Sequence, residues 1–213
     1  MIRGEAGRVI LVHGLWMHAV VMLPLAWRLR HCGYAVTLFS YPSVKTGLAE
    51  NARRLASFCA RWHDQEVCLV GHSLGGIVIL SALQAHPQLR VRRVVLLGVP
   101  NGGIFSARRM ARFRTGRAMV GQSIRDWLTT PSALTLPAGV EVGAIAGNVP
   151  RGLGRLMGRL PGVNDGVVCE SETRIPSARD SVTLPVSHSG MLVSSAVAAA
   201  TCRFLKEGRF ARG

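Results

Sequence analysis

Residues Val67 to Leu80 read VCLVGHSLGGIVIL: an apolar run, then Gly71-His72-Ser73-Leu74-Gly75-Gly76, then a second apolar run. Val67 to Val70 has the length and branched content of a buried strand, whereas Leu74 to Ala85 is long enough for a helix. Ser73 therefore sits at the apex of a tight strand-to-helix turn, in the pattern G-x-S-x-G from Gly71 to Gly75. Such a turn strains the serine backbone, and glycines two residues to either side let helix and strands approach without Cβ clashes. The hydroxyl then stands clear of the sheet, and the Leu74 N–H lies at a helix N-terminus, where a developing oxyanion is stabilised. The same serine also reads as an ordinary helix cap, so the rest of the chain has to decide.

On the N-terminal side, Val9 to Val12 is a short strand ending at Gly14, and Ala19 to His31 has helical apolar spacing stopped by Gly33. Ala35 to Phe39 is a strand, and Thr46 to Trp62 places Leu48, Ala52, Leu55, Ala56 and Cys59 on one helical face. Val91 to Val99 follows as a strand. Strand and helix alternate four times, the signature of a parallel sheet covered by helices on both faces. The alternation breaks after Pro100, where residues 102–137 read as a helical insertion with six arginines between Arg108 and Arg125. It resumes with strands at Val140 to Ala146 and Ser181 to Leu184, joined by a loop rich in Gly, Pro and Arg, and closes with a helix from Met191 to Phe204.

The chain has 213 residues, 48% of them hydrophobic, enough for one well-buried core and short for two, so a single domain over 1–213 is expected. The formal charge of +15, from 26 Lys and Arg against 11 acids, favours anionic partners, and a peripheral contact with an anionic membrane is among the expectations. Nucleic acid fits less well, because the basic residues lack interleaved aromatics. Five cysteines, odd in number and without a CxxC pair, are expected to be buried reduced thiols and not a disulfide framework. The N-terminus has neither a long apolar run nor a small-residue cleavage site, and no stretch reaches the roughly 18 apolar residues of a membrane span. A soluble cytoplasmic protein is the resulting expectation.

A serine hydroxyl needs a base, and the base an orienting acid. His188, in LPVSHSGML, lies between the last strand and the last helix, on the same strand-end rim as Ser73. His13 and His72 share that rim but adjoin motif glycines and read as structural supports, while His18, His31, His63 and His86 lie near helix ends. Among acids between Ser73 and His188, Glu141 is inside a strand and Asp180 at the wrong end of one. Asp126 is accounted for by pairing with Arg125 or a neighbour. Asp165, in VNDGVV, returns to the rim, although an Asp-Gly turn explains it as well; Glu170 and Glu172 are weaker rivals.

These segments together resemble an α/β-hydrolase of the lipase and esterase kind, closest in style to small bacterial lipases and the inositol-deacylase-like group. LVHGLW resembles the family's His-Gly oxyanion motif, GHSLGG its nucleophile elbow, NDGVV its acid loop and SHSGML its histidine turn. The resemblance implies a three-layer α/β/α sandwich, a minimal form of the fold with about six mostly parallel strands. It also implies Ser73 as nucleophile, His188 as general base and then acid, Asp165 as the group fixing the imidazole, and the backbone N–H groups of Leu15 and Leu74 as oxyanion donors. His13, Gly14, Gly71, His72 and Gly75 would support the motifs. Residues 102–137 hold the place of a cap, with Trp16, Phe105, Met110, Arg108, Arg109 and Arg112 as candidate substrate or cap contacts. The expected activity is carboxylic ester hydrolysis of a small-molecule or lipid acyl ester, with no metal or cofactor. A thioesterase or acyltransferase with the same triad, and a non-catalytic binding protein for anionic lipid, are the alternatives.

Overall fold

The computed structural model describes residues 7–101, 121–129, 139–151 and 160–210. Six strands, β1 (Arg8–Val12), β2 (Ala35–Phe39), β3 (Val67–His72), β4 (Val91–Leu97), β5 (Glu141–Gly147) and β6 (Asp180–Leu184), form one sheet in the order β2-β1-β3-β4-β5-β6. Every neighbouring pair is parallel. The α-helices among the described residues are α1 (Leu23–His31), α2 (Leu48–Cys59), α3 (Leu74–Ala85), α4 (Gly121–Thr129) and α5 (Ser195–Glu207).

Successive strand residues point to opposite faces, and the two cores divide accordingly. Ile10, Val12, Leu69, Val94 and Leu96 pack with the apolar faces of α2 and α3. Val9, Leu11, Val70, Val95 and Leu97 pack with α1 and α5 on the other side. Strands buried on both faces explain why the sequence shows continuous apolar runs there and not alternation.

Element boundaries depart from the sequence reading where local chemistry intervenes. The first helix opens as a 3₁₀ turn over Ala19–Met22, and the α-helix proper starts where Pro24, which has no N–H to lose, enters its first turn. The second starts at Leu48, because Thr46 bonds back to Pro42 O and across to the Asn51 side chain, and its tail becomes a 3₁₀ turn over Ala60–Trp62. The last begins only after a 3₁₀ turn over Ser189–Leu192, with the Ser194 hydroxyl accepting the Val197 N–H.

The cysteine expectation is corrected: Cys32 and Cys202 form a disulfide, while Cys59, Cys68 and Cys169 take part in none. The partners lie 170 residues apart, brought together because α1 and α5 pack on the same face of the sheet, a proximity that spacing along the chain does not reveal. Disulfides persist in oxidising surroundings, so reduced thiols no longer support a cytoplasmic location. No helix among the described residues is long and apolar enough to cross a membrane.

Candidate active site

The parallel register carries the chain ends of β1, β3 and β4 to one rim, with Val12 level with Gly71 and His72 level with Leu97. The strand order reverses between β1 and β3, and in open α/β sheets that crevice is where ligands bind. Ser73 leaves β3 there with φ 52, a left-handed backbone, and its side chain makes no capping bond to α3. The helix-cap reading is thereby set aside. Gly75 is required by approach: a Cβ on it would lie 2.3 Å from the Val12 carbonyl oxygen and 2.5 Å from that of His13. β1 and α3 can meet this closely only because the side chain is a hydrogen.

Asp165 and His188 are both buried, and the His188 Nδ1–H donates to Asp165 Oδ2 at 2.7 Å. The other carboxylate oxygen accepts the N–H groups of Val167 and Val168 at 2.9 and 2.8 Å. The His188 N–H donates in turn to the Asp165 carbonyl at 2.9 Å, so the two loops are clamped by backbone and side chain together. Burial pushes the Asp165 carboxyl up, but the facing His188 and these donors prevail and hold it below the ordinary carboxylate range. An ionised carboxylate only accepts, which fixes the proton on Nδ1 and leaves Nε2 as the ring's acceptor.

Ser73, His188, Leu15 and Leu74 line one cavity of about 170 Å³ together with Trp16, Ile77, Ile124, Trp127, Val167 and Val168. A Cβ on Gly14 would lie 3.3 Å from the Ser73 Cβ, so the loop after β1 runs directly beside the serine. Neither the Leu15 nor the Leu74 N–H has an acceptor among the described residues. Leu15 and Leu74, on different elements, thus line the same cavity as the hydroxyl. Trp16 is the other non-glycine residue with positive φ among those described, at 56°, its N–H taken by the Ser43 hydroxyl at 3.2 Å.

The rim histidines are held by the scaffold. His13 is stacked on Tyr41 at 4.5 Å, its Nε2 accepting the Tyr41 N–H while the Tyr41 hydroxyl donates to its carbonyl. Burial lowers its pKa. His72 is fully buried, and its Nε2–H donates to the His188 carbonyl at 3.0 Å. Burial, and then the nearby His188, push its pKa down to about 3, so it is a neutral donor near pH 7.

The remaining acids have other partners. Asp126 Oδ2 accepts the Leu48 N–H at 2.9 Å, capping α2 from α4, and Ser123 joins the same contact by accepting from Asn51 and donating to Thr46 O. Glu172 accepts the Cys169 N–H within its own turn, and Glu170 faces Arg174. Phe105, Met110, Arg108, Arg109 and Arg112 lie outside the described residues. Of the expected cap, α4 is described and supplies Ile124 and Trp127 to the cavity. A larger depression of about 340 Å³ gathers Cys59, His63 and His86. Burial pushes the Cys59 thiol up to about 12, which leaves it unreactive as a nucleophile.

The profile of the Alpha/beta hydrolase family matches residues 9–200. The chain belongs to the alpha/beta hydrolase family. Among solved structures this hydrolase is similar to the mature Bacillus licheniformis lipase BlEst2, with TM-score 0.77 and 21% identity over 95% of this chain and 93% of that one. The metagenomic carboxyl esterase MGS0156 is similar at TM-score 0.67 and 20% identity, over 88% and 66% of the two chains. Polyneuridine aldehyde esterase follows at TM-score 0.63 and 15% identity, over 93% and 97%. No curated protein sequence matches.

Two features of this hydrolase escaped sequence reasoning. Gly98, just past β4, has φ 57, and a Cβ on it would lie 3.0 Å from His188 Nδ1 and 3.1 Å from Asp165 Oδ2. It forms the floor of the acid–histidine pair, and its only signal was a glycine ending the run VVLLG. The bond from His72 to His188 O crosses 116 positions and had no signal at all.

Proposed function

We propose that this hydrolase cleaves carboxylic esters through an acyl-enzyme on Ser73. The observation that carries the reading is the buried Asp165–His188 bond in the same cavity as a strained, non-capping serine. His188 Nε2 takes the Ser73 proton as Oγ attacks the acyl carbonyl. The carbonyl oxygen acquires charge between the N–H groups of Leu15 and Leu74, donors fixed before the reaction begins. Collapse of the tetrahedral species breaks the ester C–O bond, and the alcohol leaves with the proton from His188. Water then enters, gives a proton to Nε2 and attacks the acyl carbon; collapse releases the acid and returns the proton to Oγ. No step calls for a metal or cofactor.

The cavity wall of Leu74, Ile77, Ile124, Trp127, Val167 and Val168 suits an apolar acyl group. The test is hydrolysis of a p-nitrophenyl ester panel of rising acyl length by the wild type and by Ser73→Ala. We expect turnover in the wild type and a loss of at least about 10³-fold in the variant. A wild type without turnover on any member, or on acyl thioesters of the same lengths, would favour a binding protein on this scaffold.

A further inference from the structure

Apolar side chains scattered singly over a surface carry little meaning, but several in line do. Val20, Leu23 and Trp27 are 59%, 43% and 59% exposed, on the continuous path of the Ala19–Met22 turn into α1. Their spacings of three and four put them on one side of that path. Met22, Leu25, Ala26 and Leu29 occupy the opposite side, buried against the sheet. The core therefore has its own full set of residues, and the outward row is surplus to folding. At its N-terminal end the row meets the loop of Trp16, which is 53% exposed and lines the cavity that holds Ser73.

The segment that carries this row has charge of one sign. From Gly7 to Ala49 the chain has no Asp or Glu, while α1 carries Arg28 and Arg30. Arg30 is exposed and reaches forward to the Val36 carbonyl of β2, and Arg28 reaches back to that of Pro24. An amphipathic segment with Trp, Leu and Val outward and arginines at its borders is suited to lie in the headgroup boundary of an anionic bilayer. We propose that the Val20, Leu23 and Trp27 face docks the protein on an anionic lipid surface, with Trp16 at the junction between that surface and the cavity mouth. The docking goes beyond ester hydrolysis. It gains its purpose from that reading, because a face joined to the cavity would present it to acyl chains in the membrane.

The test is co-sedimentation of the full chain with vesicles of phosphatidylglycerol and phosphatidylcholine against phosphatidylcholine alone. Wild type is compared with the triple variant Val20→Ser, Leu23→Ser, Trp27→Ser and with Trp27→Ser by itself, should the triple variant fold poorly. Binding to the anionic vesicles that weakens at least tenfold in the triple variant or severalfold in Trp27→Ser, and that falls with salt, is expected. Hydrolysis of a soluble short-chain ester should be unchanged in both variants, since none of the three residues lines the cavity. Wild type that ignores anionic vesicles, or variants that bind as well as wild type, would overturn the proposal. A wild-type dimer in sedimentation that the substitutions split, without vesicle binding, would also overturn it and give the face to a second copy of the chain. Vesicle binding does not depend on Ser73, so an inactive protein that binds vesicles separates failure of the ester reading from failure of the docking.

Discussion

The two ends of the sheet are built to opposite rules. At the rim where the strands end lie Ser73 and Trp16, the two non-glycine residues with positive φ among those described. The Nδ1 of His72 is buried without a partner among the described residues, and the Leu15 and Leu74 N–H groups have no acceptor among them. At the foot, charges are paired: Arg93 bonds Glu141 at 2.5 Å and the Leu205 carbonyl at 2.7 Å, and Arg179 pairs with the other oxygen of Glu141. Cys32 is the residue just after α1 and Cys202 lies late in α5, and their disulfide ties those helices together there. The foot's ion pairs and disulfide hold the helices to the sheet, while the rim carries the strained non-glycine backbone. That division is what a reacting site requires of its scaffold.

The contrast is broken most sharply by removing the charge behind the histidine. Asp165→Asn should lower kcat by about 10⁴-fold, because the ring loses the acceptor that fixes its tautomer, with thermal stability changed far less. Steady-state kinetics beside a melting curve reads both. At the foot the outcome should reverse. Replacing Cys32 and Cys202 by serine opens a tie spanning 170 residues and should reduce unfolding free energy by about 2–4 kcal/mol, leaving kcat per folded molecule unchanged in urea titration with parallel assays. A kcat loss on the scale of Asp165→Asn would mean that the two ends are not independent.

Gly98→Ala should be milder, about tenfold in kcat, as the added methyl presses on His188 Nδ1 and Asp165 Oδ2 at a backbone angle that alanine resists. An unaffected kcat would remove Gly98 from the account. The rim should also show in the pH dependence of stability. With His72 held at about 3, the unfolded chain binds a proton the folded chain refuses from roughly pH 6.5 down to 3. Stability therefore falls as pH drops through that window. The lowered Asp165 pKa adds in the same direction further down: its contribution is complete above about pH 4 and is lost below it. Urea unfolding at pH 7, 5.5 and 4 should show the slope, and His72→Asn should flatten its upper part.

The alternation of buried strands and amphipathic helices was legible because the middles of β1, β3, β4 and β5 are apolar on both faces and the helices are punctuated by Gly and Pro. The strand–turn–helix around Ser73 was legible for the same reason. The contact of Asp165 with His188 followed from chain order along the rim, not from either residue's neighbours, which fit an Asp-Gly turn equally well. What stayed hidden depends on packing between distant segments. Cys32 meets Cys202 only once α1 and α5 share a face, Asp126 caps a helix 78 positions away, and Gly98 looks like any strand-ending glycine until His188 arrives above it.

The central claim is that the Ser73 hydroxyl is the nucleophile served by His188. Incubation of wild type, Ser73→Ala and His188→Ala with a fluorophosphonate, followed by peptide mass spectrometry, tests it directly. One stoichiometric adduct is expected on the wild-type peptide containing Ser73, a much slower adduct at the same site in His188→Ala, and none in Ser73→Ala. An adduct on another residue, or labelling of Ser73→Ala at the wild-type rate, would contradict it.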